Sequence, residues 1–179
     1  MIPGAIDLDA AIATIQSELS ALAWLAKAFG RAKMLPTRDI EGKTKLEPKV
    51  YQGGGEYYPV LPNDALQSYS FCRVWGDREI DHEKSGSTFN YGSVILDVIF
   101  WVNLQSINPA KDYIFTEELI NEAFKVFNRC PGVSVAAVVD EKTEDIFRGY
   151  SLNTEQRDLL MFPYQAFRFE LALDYEVTC

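Results

Sequence analysis

Apolar residues recur at spacings of three and four from Leu8 through Ile12, Ile15, Leu19, Leu22, Ala26 and Phe29. On a helix that spacing makes one continuous stripe, which predicts a long N-terminal helix over 8–34. Asp7 or Asp9 can cap its start, and Gly30, Lys33 and Pro36 are stop signals. Residues 36–48 are polar and broken by Pro36, Gly42 and Pro48, which predicts a loop or extended arm. Then Lys49-Val50-Tyr51, Gln52-Gly53-Gly54-Gly55 and Glu56-Tyr57-Tyr58-Pro59-Val60 predict a hairpin, with Pro59 and Pro62 keeping its second strand at an edge.

The middle and end of the chain change period. Residues 67–76 alternate as a strand, 78–91 are polar and predict a mobile loop, and Ser93–Gln105 alternate strictly. In that last segment Val94, Leu96, Val98, Phe100, Val102 and Leu104 share one face; Ile95, Asp97, Ile99, Trp101 and Asn103 share the other. Phe115, Leu119, Ala123 and Phe127 mark a second helix over 114–128, ended by Cys130-Pro131-Gly132. Strands are expected at 133–139 and 145–150, nothing definite at 152–164, and a clear alternating strand from Phe167 to Val177. The expected fold is therefore α+β: a mostly antiparallel sheet with a long N-terminal helix and a second helix packed on one face, in a single domain over 1–179.

Composition narrows the class. Hydrophobic residues make up 47% and charged residues 24%, the balance of a globular chain. No stretch reaches the roughly 20 apolar residues of a membrane-spanning helix, and the acid-containing N-terminus has no basic region of the signal-peptide kind. Cys72, Cys130 and Cys179 are odd in number and far apart, so free thiols in a reducing compartment are expected. The net charge of −9 is uneven: residues 27–49 hold seven basic residues against three acids, leaving −13 for the rest. An acidic body repels phosphates, which argues against sequence-specific nucleic-acid binding.

Candidate chemistry is thin. Glu41-Gly42-Lys43-Thr44 resembles the end of a phosphate loop, but Thr37 stands where that loop needs glycine. Gly53-Gly54-Gly55 has turn spacing, not dinucleotide spacing. His82 is the only histidine and sits in a polar stretch, where a solvated side chain is its ordinary role. No two cysteines lie within 40 positions, and Glu117-Glu118, Asp140-Glu141 and Glu144-Asp145 fall at helix starts or turns. No catalytic, metal-binding or cofactor residue is assigned, and no cofactor is expected.

The segment from Tyr51-Gln52-Gly53-Gly54-Gly55 to Asn63-Asp64, followed by Ser68-Tyr69-Ser70-Phe71, resembles small proteins of phage tail gene clusters. With the terminal strand Phe167-Arg168-Phe169-Glu170-Leu171-Ala172-Leu173-Asp174-Tyr175-Glu176 and the order of elements, the chain resembles the tail-terminator or tail-completion proteins of tailed phages and prophages. That resemblance implies a non-enzymatic subunit of a homo-oligomeric ring, commonly a hexamer, which closes the tail tube and meets the head. Its partners would be itself, tail-tube proteins and head-completion proteins, in the bacterial cytoplasm during assembly and then in the virion tail. Candidate subunit-interface residues are Arg38, Lys43, Lys45 and Lys49 in the basic stretch, with Tyr57 and Tyr58 on the edge strand. The competing class is a small-molecule-binding or enzymatic α+β domain whose site is assembled from scattered residues.

Overall fold

The structure is a computed structural model that describes residues 7–38, 42, 44–86 and 89–177, with side chains at all of these except 78, 80–86, 89 and 90. Helix α1 spans Asp7–Leu19, and strands β1 (Lys27–Arg38), β2 (Thr44–Gly53) and β3 (Glu56–Pro59) follow it. Two long strands come next, β4 (Ser68–Gly86) and β5 (Phe89–Asn103), then α2 (Leu104–Ile107) and α3 (Thr116–Phe127). The chain ends through β6 (Val133–Val139), α4 (Thr143–Ile146), α5 (Thr154–Asp158) and β7 (Tyr164–Val177). The strands form one seven-stranded sheet in the order β3-β2-β1-β4-β5-β7-β6. Among the described residues only the β1–β4 pair is parallel; the other pairs are antiparallel. The fold is α+β, as the alternation of periods indicates.

The expected 8–34 helix is corrected: it stops at Leu19, and Lys27–Arg38 is a strand. Ser20 begins the break, its amide and hydroxyl both donating to the Gln16 carbonyl. The turn then drives Trp24 and Leu25 into the core, where Trp24 Nε1 donates to Glu122 on α3 at 2.9 Å. Ser68 Oγ ties the turn to β4, donating to the Trp24 carbonyl and accepting from the Ala26 amide. Beyond it Ala28 and Phe29 are buried on opposite faces of the sheet, as only a strand allows. The spacing of Leu22, Ala26 and Phe29 suits a helix by coincidence, whereas Gly30 and Pro36 disfavour one.

Two more expectations change. Residues 78–86 and 89–91 are strand and not loop, because β4 runs to Gly86 and β5 starts at Phe89; residues 87 and 88 lie outside the described residues. Residues 145–150 are not a strand: α4 and a following turn occupy them, and Ile146 and Phe147 are buried. The short alternation there records two neighbouring side chains turned toward the sheet.

Each face of the sheet carries its own core. On one, α1 and α3 cover Leu96, Val98, Phe100, Phe167, Phe169 and Leu171. Phe100 stacks on Phe167 at 4.7 Å, with Phe127 and Trp24 beside it. On the other, Tyr69, Phe71, Ile99 and Trp101 lie beneath the connection between β6 and β7. That connection holds α5, whose start is a reciprocal cap: Asn153 Oδ1 accepts from the Gln156 amide, and Gln156 Oε1 accepts from the Asn153 amide. At Gly92, opposite Tyr175 in the β5–β7 register, a Cβ would lie 2.6 Å from the Tyr175 ring, so the ring fills the space a side chain would need.

Candidate assembly surfaces

The first surface is an arm. β1 pairs with β4 only as far as Arg31, while its pairing with β2 continues from Ala32↔Val50 to Arg38↔Thr44. Seven residue pairs therefore run on as a two-stranded ribbon, roughly 20 Å long at about 3.3 Å per residue. The segment 36–48, expected as a loop or extended arm, overlaps these strands, with residues 39–41 and 43 outside the described residues. Alternation divides the ribbon. Met34, Pro36, Arg38, Leu46 and Pro48 share one face, and Lys33, Leu35, Lys45, Glu47 and Lys49 share the other. Near the body the first face rests on Ala32 and Val50, but farther out Met34 (43% exposed) and Leu46 (62% exposed) have left the core. On the second face Lys33 stands directly opposite Lys49, a like-charge pair that weakens the ribbon on its own.

The six candidate interface residues separate accordingly. Lys45 and Lys49 project from the basic face, and Lys45 pairs with Glu47 at 2.7 Å. Arg38 lies on the apolar face at the far end of the described ribbon, and Lys43 lies outside the described residues. Tyr57 is half exposed and leans on Tyr51 with ring centroids 5.3 Å apart. Tyr58 points the opposite way, as strand alternation requires: it stacks on Phe29 at 5.0 Å and donates to Asn63 Oδ1 at 3.1 Å. It anchors β3 to the core and is not part of an exposed aromatic pair.

The second surface is the far edge of the sheet. β6 is the outermost strand there, and between it and α3 runs a groove of about 330 Å³. Ile120, Phe124 and Val138 line it, with Glu117 and Asp140 beside them. Phe124 is 40% and Val138 38% exposed.

Between these edges the sheet carries a charged cluster that sequence reading missed. Arg73, Asp97 and Glu170 stand in one row across β4, β5 and β7. Asp97 is fully buried, and Arg168 beside it is 2% exposed. Arg168 holds Glu170 at 2.6 Å and approaches Asp97 at 3.8 Å; Arg148 reaches both carboxylates at 3.5 Å. Neither Asp97 oxygen has a hydrogen-bond partner among the described residues, so charge alone compensates it. Burial raises the Asp97 carboxyl pKa, while Arg168 and then Arg148 pull it down. The cluster clasps the α4 connection to the sheet: Arg168 donates to the Ile146 carbonyl, and Arg73 to the Arg148 carbonyl. Arg73 lies over the Trp75 and Tyr150 rings, and Arg148 over Trp75. Gly149, at φ +78°, is where the backbone comes so close to Arg73 that a Cβ would sit 2.6 Å from the guanidinium. The strand face that bears Asp97 has no uniform polarity, since Asp97 and Asn103 share it with apolar Ile95, Ile99 and Trp101. Nothing local shows that a polar residue there will be sealed beneath a connection 50 residues later.

Among the described residues no three His, Cys, Asp or Glu side chains are grouped to hold a metal ion. His82 falls within β4, and its side chain is not among those described. A hollow of about 360 Å³ lies beside Glu144, Tyr150 and Arg157. No helix among the described residues is long and apolar enough to cross a membrane. Cys72 and Cys130 are free and buried, and Cys179 lies outside the described residues.

Burial pushes the Cys72 thiol up to about 12. At pH 8 its thiolate fraction is then roughly 10⁻⁴, and thiolate is the form that alkylates. Peptide mass spectrometry after timed iodoacetamide treatment should show Cys72 protected in the native chain and labelled in urea. Native labelling as fast as in urea would contradict its burial. Comparison with protein-family models and with curated protein sequences finds no match to this chain.

Proposed function

We propose that this chain is a non-catalytic, self-associating subunit of a phage or prophage tail, of the tail-terminator kind, whose ring closes the tail tube and joins it to the head. The observation that carries this reading is the β1–β2 ribbon. It leaves the body with an apolar strip on one face and lysines on the other. An isolated two-stranded ribbon is marginal in water, so it gains stability by lying on another surface. The charge layout agrees, because an acidic body lining a channel lets DNA pass without adhering. Tail-tube and head-completion proteins are the further partners this reading implies.

Deletion of the gene from the phage that carries it tests the role directly. The expected result is tails of uncontrolled length that fail to join heads, restored by the gene in trans. Tails of normal length on filled heads would overturn the reading.

A further inference from the structure

We propose that the groove between α3 and β6 receives the β1–β2 ribbon of a second copy of this chain, so that copies join head to tail. The inference rests on the self-association reading above and adds the two surfaces that meet.

Position is the first argument. The ribbon and the groove lie at opposite ends of the strand order, β2-β1 near one edge and β6 at the other. Two different, complementary patches on opposite sides of a subunit make a heterologous contact, which repeats from copy to copy until it closes. A contact of one patch with itself would stop at a dimer.

Chemistry is the second. The ribbon presents Met34, Pro36 and Leu46 on one face, and the groove presents Ile120, Phe124 and Val138. Each set is partly in water in the isolated chain, and each is flanked by charge of the opposite sign to the other's. Arg38 shares the ribbon's apolar face, and Glu117 and Asp140 stand beside the groove. Seating the strip would bring Arg38 to those carboxylates while Lys33 and Lys49 remain outward. Rim charges of this kind set orientation and association rate more than affinity. The same carboxylates disfavour a nucleic acid or an anionic lipid surface in the groove. The free edge of β6 adds backbone donors and acceptors along one side, which an extended ribbon can meet.

The test uses the full chain with Cys179→Ser, so that only the buried Cys72 and Cys130 remain as native thiols. Leu46→Cys and Val138→Cys are made in separate copies, mixed at about 1 mM, where even a millimolar contact is populated, and oxidised gently. A disulfide forms only where Cα atoms come within about 7 Å. The expected result is a covalent dimer whose peptides join 46 to 138, formed in the mixture and by neither variant alone. A chain carrying both cysteines should give a ladder of multimers on a denaturing gel. Arg38→Glu should slow the link roughly tenfold at low salt, with the difference shrinking as salt is added.

Oligomers in sedimentation without the 46–138 link would overturn the groove assignment and leave self-association standing. A link between two Val138→Cys copies would overturn it in favour of symmetric β6 pairing. A chain that stays monomeric at about 1 mM without any link also overturns it. In that case the tail phenotype of the gene deletion still decides the proposed function separately.

Discussion

Replacing Arg168 with leucine should cost about 3–5 kcal/mol at pH 8, because it removes one partner of a buried ion pair and leaves the other charged. Arg168 is the closest cation to Glu170, and with Arg148 it compensates an Asp97 carboxylate that has no hydrogen bond among the described residues. Water cannot take its place, since Asp97 is fully buried. The loss should depend on pH with a definite sign. Asp97 already has its folded pKa raised above the unfolded value, and removing Arg168 raises it further. Such a group contributes stability that is fully present below the unfolded pKa and lost as pH rises through the folded one. Arg168→Leu should therefore be distinctly less harmful at pH 5 than at pH 8, measured by urea unfolding at each pH. Adding Asp97→Leu to Arg168→Leu should recover most of the loss, because a buried pair replaced by apolar groups is often neutral. A single variant within about 1 kcal/mol of the parent at pH 8, or a double variant no better than the single, would mean that the clasp does not hold the α4 connection.

Trp101→Ala should be comparably severe, about 3–5 kcal/mol, as for other large aromatic truncations in cores. The ring is fully buried, stacked on Tyr69 at 5.4 Å and on Tyr164 at 5.2 Å. Its Nε1 donates to the Leu159 carbonyl at 2.8 Å, which fixes the connection after α5 to the sheet. Trp101→Phe keeps much of the apolar contact and leaves that carbonyl without its donor, so about 1–3 kcal/mol is expected. Urea midpoints read at constant slope separate the two variants. Limited proteolysis within 150–163 should rise in both, because both lose the tie to Leu159. An alanine variant as stable as the phenylalanine one would show that the second core does not depend on this ring.

The candidate surfaces were partly legible in the sequence. The basic stretch and the break at Pro36, Gly42 and Pro48 mark an extended arm, and Tyr57 is rightly placed on an exposed strand. What could not be read is the direction of each side chain. Tyr57 and Tyr58 are identical in type and adjacent, yet one faces water and the other stacks on Phe29. Register with Tyr51 and Val50 decides which is which. The α3–β6 groove has no sequence signature at all. Phe124 and Val138 look like ordinary stripe and strand residues, and both are exposed at the edge where β6 is the outermost described strand.

By itself, the sequence determined α3 from its apolar stripe, β5 and β7 from strict alternation, and the β2–β3 reversal from its glycines. Together these make the α+β class, because a sheet with one apolar face must be covered by helices. Tertiary structure decided the rest, wherever local preference was weak or balanced. Leu22, Ala26 and Phe29 satisfy helix spacing, but burying Trp24 and placing Ala28 and Phe29 in two different cores favours a turn and a strand. The polar segments 79–86 and 89–91 pair because β4 and β5 already lie side by side and extending the ladder satisfies their backbone groups. Asp97 is buried because Arg148 and Arg168 arrive from later segments to meet its charge. Such contacts join residues far apart in the chain, and no local pattern records them.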